Sequence, residues 1–108
     1  MNEKQKARLL ARAEILKALA HPTRLCIVEE LEKGERGVGE LTDLIGDDMS
    51  TVSKHLTVLK NAGLVSDEKR GTAVIYRLRV PCVMNFMGCV EAVLTHRLNE
   101  QIALVTGS

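Results

Sequence analysis

Aromatic residues are nearly missing from this chain of 108 residues, which has one Phe, one Tyr and no Trp. Proteins that bind single-stranded nucleic acid stack the bases on exposed aromatic side chains. The scarcity of aromatic residues disfavours binding of single-stranded nucleic acid. Reading a duplex through its grooves needs no aromatic platform and stays open.

Targeting segments and long apolar runs are also missing. No apolar run approaches the roughly 20 residues that a membrane-spanning helix needs, and no signal peptide is present. The three cysteines are an odd number, which argues against a framework of disulfides. We therefore expect a cytoplasmic protein with reduced thiols and no membrane partner.

A strong excess of charge of one sign is absent as well. Lys and Arg number 15 and Asp and Glu 14, so the net charge of +1 gives no bulk support for binding nucleic acid. No nucleophile–base pair, phosphate loop or paired carboxylates occur at a credible spacing, so we expect no enzyme. The length predicts a single domain, residues 1–108, whose thin core would gain from dimerisation.

The most informative stretch is Met49–Gly63, which has the pattern of an amphipathic helix with Asp48 as its N-cap. Its apolar residues recur at helical spacing, and these are Val52, Leu56, Leu59 and Ala62. Short hydroxyls and flexible cations occupy the rest of the surface, namely Ser50, Thr51, Ser53, Lys54, Thr57 and Lys60. Such a surface suits phosphates and base edges.

The flanking segments complete a winged helix-turn-helix. Val38–Ile45 predicts a preceding helix, and Gly34–Gly37 is expected to be a connector. Leu64–Val80 alternates apolar and polar residues and predicts a β-hairpin. Its polar turn is Lys69-Arg70-Gly71-Thr72, and we expect Lys69, Arg70 and Thr72 to contact the DNA backbone beside the recognition helix.

Three further helices are predicted, over Asn2–Leu19, Pro22–Lys33 and Pro81 to about Leu104. The fold class is therefore mainly α with a small β-hairpin (α+β). In the second helix, the inward-facing residues are expected to be Leu25, Val28, Leu31 and Cys26. One seam of the last helix contains Cys82, Phe86, Cys89, Val93, His96 and Glu100. A second seam of the same helix contains Val83, Met87, Val90 and Leu94. The two seams and the first helix together predict a homodimer interface.

Several separated motifs resemble the ArsR/SmtB family of bacterial repressors, over roughly Ile15 to Leu98. They are Leu16–Leu25 (LKALAHPTRL), Gly39–Leu41 (GEL), Thr51–Leu56 (TVSKHL), Leu59–Val65 (LKNAGLV) and Ile75–Leu78 (IYRL). The resemblance implies a homodimeric winged-helix repressor that binds double-stranded operator DNA. It also implies release of the operator when an effector occupies a sensing site.

Departures from the family pattern limit the effector. Where many metal sensors have Cys-Val-Cys, this chain has Gly37-Val38-Gly39, so a thiolate metal site there is excluded. If His96 were a zinc ligand, Asn85, Val83 and Asn99 would occupy the other ligand positions, which disfavours zinc. Met49 replaces a common Gln and is left as a packing residue or an apolar contact to thymine.

The three cysteines leave two interpretations open. Cys82 and Cys89 are separated by about 10.5 Å of helix, too far for a disulfide within one intact helix. Cys26 could meet either of them if the second and last helices pack together. Two or three thiolates would then bind As(III) or another thiophilic ligand, or form a disulfide or polysulfide bridge. Alternatively the thiols are small packing residues, in a repressor or protein-interaction module without thiol sensing.

Two histidines also have open roles. His21 is a candidate ligand by residue type, but it precedes a helix start, where the role of a turn residue is expected. His55 flanks the apolar face of the recognition helix and is predicted to be either a partly buried, hydrogen-bonded side chain or a phosphate contact.

Overall fold

The computed structural model describes residues 1–107 and confirms the predicted α+β class. The helices are α1 (Glu3–Leu19), α2 (Pro22–Glu32), α3 (Val38–Ile45), α4 (Met49–Asn61) and α5 (Val83–Thr106). The strands are β1 (Arg36–Gly37), β2 (Val65–Arg70) and β3 (Ala73–Leu78). The predicted bounds of α3 are confirmed, whereas α5 begins two residues later than expected.

Side-chain caps explain where α2 and α4 begin. Asp48 Oδ1 accepts the backbone N–H of Thr51 at 2.8 Å, which confirms the predicted N-cap of α4. His21 does more than turn the chain, because its Nδ1 accepts the N–H of Thr23 at 3.1 Å and caps α2. Each cap satisfies a donor that the first helical turn leaves free.

The wing is a three-stranded antiparallel sheet in the order β1-β3-β2. Arg70 pairs with Ala73 across a two-residue loop, in which Gly71 has a φ of +62°. Two predictions were wrong here. Lys69 and Arg70 end strand β2 instead of lying in the turn, and Arg36–Gly37 forms a strand on β3 instead of a connector. Two residues are too few to show an alternating pattern, so the sequence gives no local signal for the pairing of β1 with β3.

The core packs α2, α3 and α4 against the base of the wing. Val52, Leu56 and Leu59 are each 0% exposed, as the helical spacing predicts, and they fix the rotation of α4. In α2, however, Ile27 is fully buried and Cys26 is exposed, so the prediction of an inward-facing Cys26 was wrong. Successive helical residues differ by about 100°, so the core face that holds Ile27 and Val28 turns Cys26 toward solvent.

Helices α1 and α5 extend beyond this core. Only the start of α5 packs against it, through Val83, Met84 and Met87. The Cα radius of gyration is 17.4 Å, against about 13 Å for a compact chain of this length. No helix within residues 1–107 is both long and apolar enough to cross a membrane.

Candidate nucleic-acid interface

The polar surface of α4 faces away from the core. Ser50, Lys54, Thr57 and Lys60 are exposed, while Thr51 and Ser53 are half-buried at its edges. Burial of the opposite face of the helix imposes this orientation, so all six side chains that the sequence singles out on α4 lie outside the core.

Local hydrogen bonds divide these side chains into acceptors and donors. The Ser50 hydroxyl donates to Asp48 Oδ1 at 2.8 Å, and the Thr57 hydroxyl donates to the Ser53 carbonyl oxygen at 2.9 Å. Both hydroxyls therefore present lone pairs outward, which suits the amino groups of adenine and cytosine. Within residues 1–107, the Ser53 hydroxyl and the Lys54 ammonium form no hydrogen bond or ion pair, although the charge of Lys54 interacts with Asp48. Both groups can therefore donate to guanine or phosphate.

The N-cap of α4, Asp48, carries a negative charge. The pKa of Asp48 is lowered, chiefly by the Thr51 backbone N–H and then by the Ser50 hydroxyl. An ionised carboxylate already occupies the donors at this helix terminus, so a DNA phosphate would be repelled there. Phosphate contacts are therefore expected farther along the helix and on the wing.

Carboxylates already pair with two of the four cations assigned to this interface. Arg70 binds both oxygens of Glu35, with N···O distances of 2.5 and 3.1 Å, and also contacts Glu68 at 3.1 Å. Lys60 pairs with Asp67 at 3.0 Å. Arg70 lowers the pKa values of Glu35 and Glu68, mainly through its hydrogen bonds. In the described part of the chain, Lys54 and Lys69 are the members of this group without an ion pair.

Met49 and Thr72 are exposed at the two ends of this surface. Met49 is 53% exposed, so its interpretation as a packing residue was wrong within the protomer. It offers an apolar contact at the start of the recognition helix. Thr72 lies in the hairpin loop, next to Gly71.

The cysteines are all free and exposed. None of the three thiols therefore packs inside the protomer, and packing of Cys82 and Cys89 against a second copy stays a prediction. Among residues 1–107, no group of three His, Cys, Asp or Glu side chains is arranged to hold a metal ion, so one protomer does not assemble a three-thiolate site. A site made of two thiols, or of thiols from two protomers, remains a proposal.

Three further residues were missed by sequence reasoning. Glu35 lies in the segment interpreted as a connector, and its partnership with Arg70 depends on two distant segments meeting. Glu68 lies in β2 opposite Ile75 and binds both Arg70 and Arg77. Arg24, within the HPTR motif, has a buried Nε without a hydrogen-bond partner. No sequence period marks any of them.

Comparison with known proteins gives a consistent result. The family described as "Bacterial regulatory protein, arsR family" matches residues 21–67, from the cap of α2 into β2. The HTH-type transcriptional regulator Rv0081 of Mycobacterium tuberculosis is 36% identical over 95 residues, covering 87% of this chain and 83% of that protein. The transcriptional repressor SmtB of the same organism is 46% identical over 68 residues, covering 63% of this chain and 50% of that protein.

Solved structures share the fold. The crystal structure of M. tuberculosis Rv0081 has a TM-score of 0.77 at 34% identity and covers 95% of this chain and 100% of that chain. The solution structure of Mb0332 from Mycobacterium bovis, a homodimeric winged helix-turn-helix DNA-binding domain, has a TM-score of 0.78 at 32% identity, with 93% of each chain covered. The relatives are transcriptional regulators, so the expectation that the chain is no enzyme is confirmed.

The chain belongs to the ArsR family and is a DNA-binding transcriptional regulator with that family's winged helix-turn-helix fold.

Proposed function

We propose that this protein is a cytoplasmic, homodimeric repressor that binds an inverted-repeat operator. The two recognition helices would read half-sites about one turn of DNA apart. The observation that carries the proposal is the orientation of α4, whose apolar face is fully buried while its polar face stands beside the wing. That arrangement matches a helix in the major groove with a hairpin along the backbone.

Homodimer formation is supported by the first and last helices. Their apolar side chains are largely exposed, with Leu16 at 49%, Phe86 at 45% and Leu98 at 56%. Burying them against a second copy would remove an unfavourable apolar surface from water. The structural neighbour Mb0332 is a homodimer with the same fold.

Within the interface we assign the main donor role to Ser53 and Lys54, whose donor groups form no hydrogen bond or ion pair within residues 1–107. Ser50 and Thr57 would accept hydrogen bonds from the bases, and Thr51 would lie beside them. Lys69 and Thr72 would contact phosphates. Lys60 and Arg70 must exchange a carboxylate for a phosphate, so we expect each to contribute less.

Fluorescence anisotropy tests this assignment with duplex DNA from upstream of the protein's own gene. Lys54→Gln and Ser53→Ala should each weaken binding roughly 5- to 150-fold, as expected for loss of about 1–3 kcal/mol per specific contact. Lys33→Gln is the control, because Lys33 is an exposed lysine at the end of α2. Unchanged affinity in both α4 variants would favour a protein-interaction module instead.

A thiol-directed effector is the inducer that we propose, either a metalloid such as As(III) or an oxidant or reactive sulfur species. The support is that all three thiols are exposed and that Cys82 and Cys89 belong to the start of α5 and its N-cap. Because α5 carries exposed apolar surface for dimerisation, a ligand bridging Cys26, Cys82 or Cys89 could favour a different dimer geometry. Release requires that the ligand bind the two states unequally.

The triple variant Cys26→Ser, Cys82→Ser, Cys89→Ser separates this effector from the DNA-binding function. It should retain operator affinity and lose release by arsenite, peroxide or polysulfide, each added singly to the reduced protein. Release that persists in the triple variant would leave the repressor intact but eliminate thiol sensing. Operator binding unmoved by every agent, in wild type and variant alike, would favour a repressor with another effector.

A further inference from the structure

A groove of about 690 Å³ lies between α1 and α4, on the side of the recognition helix next to its polar face. Its walls are apolar, formed by Ile15 and Ala18 of α1, by Val58 of α4 and by Ala62, the C-cap of α4. Polar side chains border it, namely Glu14, Lys17, Arg24 and Asn61. The volume falls within the range of about 300–1,000 Å³ that is typical of small-molecule sites.

Arg24 supplies a donor that the protein does not use. Its Nε is buried and has no hydrogen-bond partner, unlike the other buried side-chain nitrogen and oxygen atoms of the partly or fully buried residues within 1–107. Leaving a buried donor without an acceptor is unfavourable, and it is worse for a charged group. Arg24 also forms no ion pair within residues 1–107, so an anion bound in the groove that Arg24 borders would supply the missing counter-charge.

The charge around the groove also favours an anion. The groove is lined by two cations, Lys17 and Arg24, and by one carboxylate, Glu14. None of these three forms an ion pair in the described part of the chain. The neighbouring His55 has a lowered pKa because of burial first and then the nearby charges of His21 and Arg24, while Asp47 opposes the effect. The corner of the protein near Arg24 is therefore electropositive.

The dimer surface predicted on α1 lies elsewhere on that helix. At 100° per residue, Ala11, Ile15 and Ala18 cluster on one face, and Leu9 and Leu16 lie roughly 150° away on the other. Leu9 and Leu16 are 41% and 49% exposed, so the face with these leucines is available to a second copy. A partner that packs on Leu9 and Leu16 leaves the groove open.

We propose that the α1–α4 groove binds a small organic anion, a carboxylate on a flat apolar body. The Arg24 guanidinium, which borders the groove, would pair with the carboxylate, and the apolar body would contact Ile15, Val58 and Ala62. Since Val58 belongs to the recognition helix and Ala62 is its C-cap, such a ligand would touch the element that reads DNA. Any effect on operator affinity rests on the proposed function, whereas binding itself does not.

Nuclear magnetic resonance of nitrogen-15-labelled protein without DNA tests the site, with 1-naphthoate as the probe. We expect saturable shifts of the Arg24 Nε–H signal and of the Ala18, Val58 and Ala62 amides. Neutral 1-naphthamide, which has the same rings, should bind at least about tenfold more weakly, because it has no negative charge to pair with the guanidinium. Equal binding of the two probes would overturn the assignment of an anion site.

Two variants locate the site independently. Arg24→Gln removes the cationic donor, and Ala11→Phe fills the groove from an exposed position of α1 without entering the core. Each should weaken naphthoate binding at least about tenfold. Arg12→Gln, an exposed arginine on the same helix that does not line the groove, should bind normally.

The contradicting results are equally specific. Unchanged naphthoate binding in Ala11→Phe, or shifts confined to the apolar surface of α5, would overturn the proposal. Ala11→Phe keeps it falsifiable if Arg24→Gln does not fold. Failure of operator binding with intact naphthoate binding would count against the proposed function alone.

Discussion

His21 and His55 lie ring against ring, with centroids 4.4 Å apart and the planes tilted by 42°. His21 Nδ1 already accepts the N–H of Thr23. His55 is half-buried, and its pKa is lowered by that burial and by the charges of His21 and Arg24. A neutral imidazole cannot supply the positive charge that a phosphate contact would use. The pair therefore fits a structural joint between α2 and α4 better than a DNA contact.

The lowered pKa of His55 predicts a stability that depends on pH. Above the ordinary value of 6.5, His55 is neutral in both states and its contribution is complete. As the pH falls below 6.5 toward the lower folded-state pKa, the unfolded chain takes up the proton first, so the free energy of unfolding decreases. Urea denaturation at about pH 7.5, 6 and 5 should show a larger loss for wild type than for His55→Gln. Parallel losses in the two proteins would contradict the assignment.

The wing is held as an element by Arg70, which joins the end of β2 to Glu35, just before β1, and to Glu68 of β2 itself. Arg77 of β3 shares Glu68 at 2.8 Å. These bonds orient the hairpin, and at the same time they neutralise cations that could contact DNA. The wing therefore combines structural order with a modest positive charge.

Glu68→Gln should strengthen DNA binding because it removes a carboxylate that competes with phosphate for Arg77 and in part for Arg70, which keeps its ion pair with Glu35. We expect higher affinity at low salt, and a slope of log affinity against log salt that steepens by up to about 0.9 for each added phosphate contact. Glu32→Gln, on exposed α2 surface, changes the net charge equally and is the control. An equal gain in both variants would indicate a general charge effect and no specific role for the wing.

The protomer as a whole is extended, measuring 60 × 42 × 22 Å. Its core lies in the central winged helix, and α5 contributes to it only near its first turn. Beyond Met87, nearly all of α5 is exposed, including Val93 at 58% and Leu94 at 50%. A 24-residue helix with so much apolar surface needs a partner, and a second copy supplies the same surface by two-fold symmetry.

Leu98→Glu should dissociate the dimer, because it places a charge in the apolar surface of α5. Sedimentation equilibrium should give about twice 11.9 kDa for wild type. The variant should dimerise at least about tenfold more weakly, as burial of an unpaired charge is strongly unfavourable. Leu44→Glu is a matched control, since Leu44 and Leu98 are each 56% exposed and Leu44 lies on α3. Dissociation of the Leu44 variant alone would place the interface on another surface.

The sequence by itself determined the local features of this protein. Asp48 marks the start of α4, the spacing of Val52, Leu56 and Leu59 marks its buried face, and alternation marks the hairpin. These signals are readable because a cap involves residues three apart, and because helix and strand periods repeat within a few residues. The polar face of the recognition helix follows from the buried one. The motifs spread along the chain then identified the family.

Only the tertiary structure decided how distant segments meet. Arg36–Gly37 forms a strand because it pairs with β3, and Arg70 contacts Glu35, which is 35 residues away in sequence. Cys26 is exposed because the face of α2 that packs into the core contains Ile27 instead. The groove beside Arg24 exists because α1 and α4 stand apart at that point. Each outcome depends on a contact between separate elements, and the local period of a sequence does not encode such contacts.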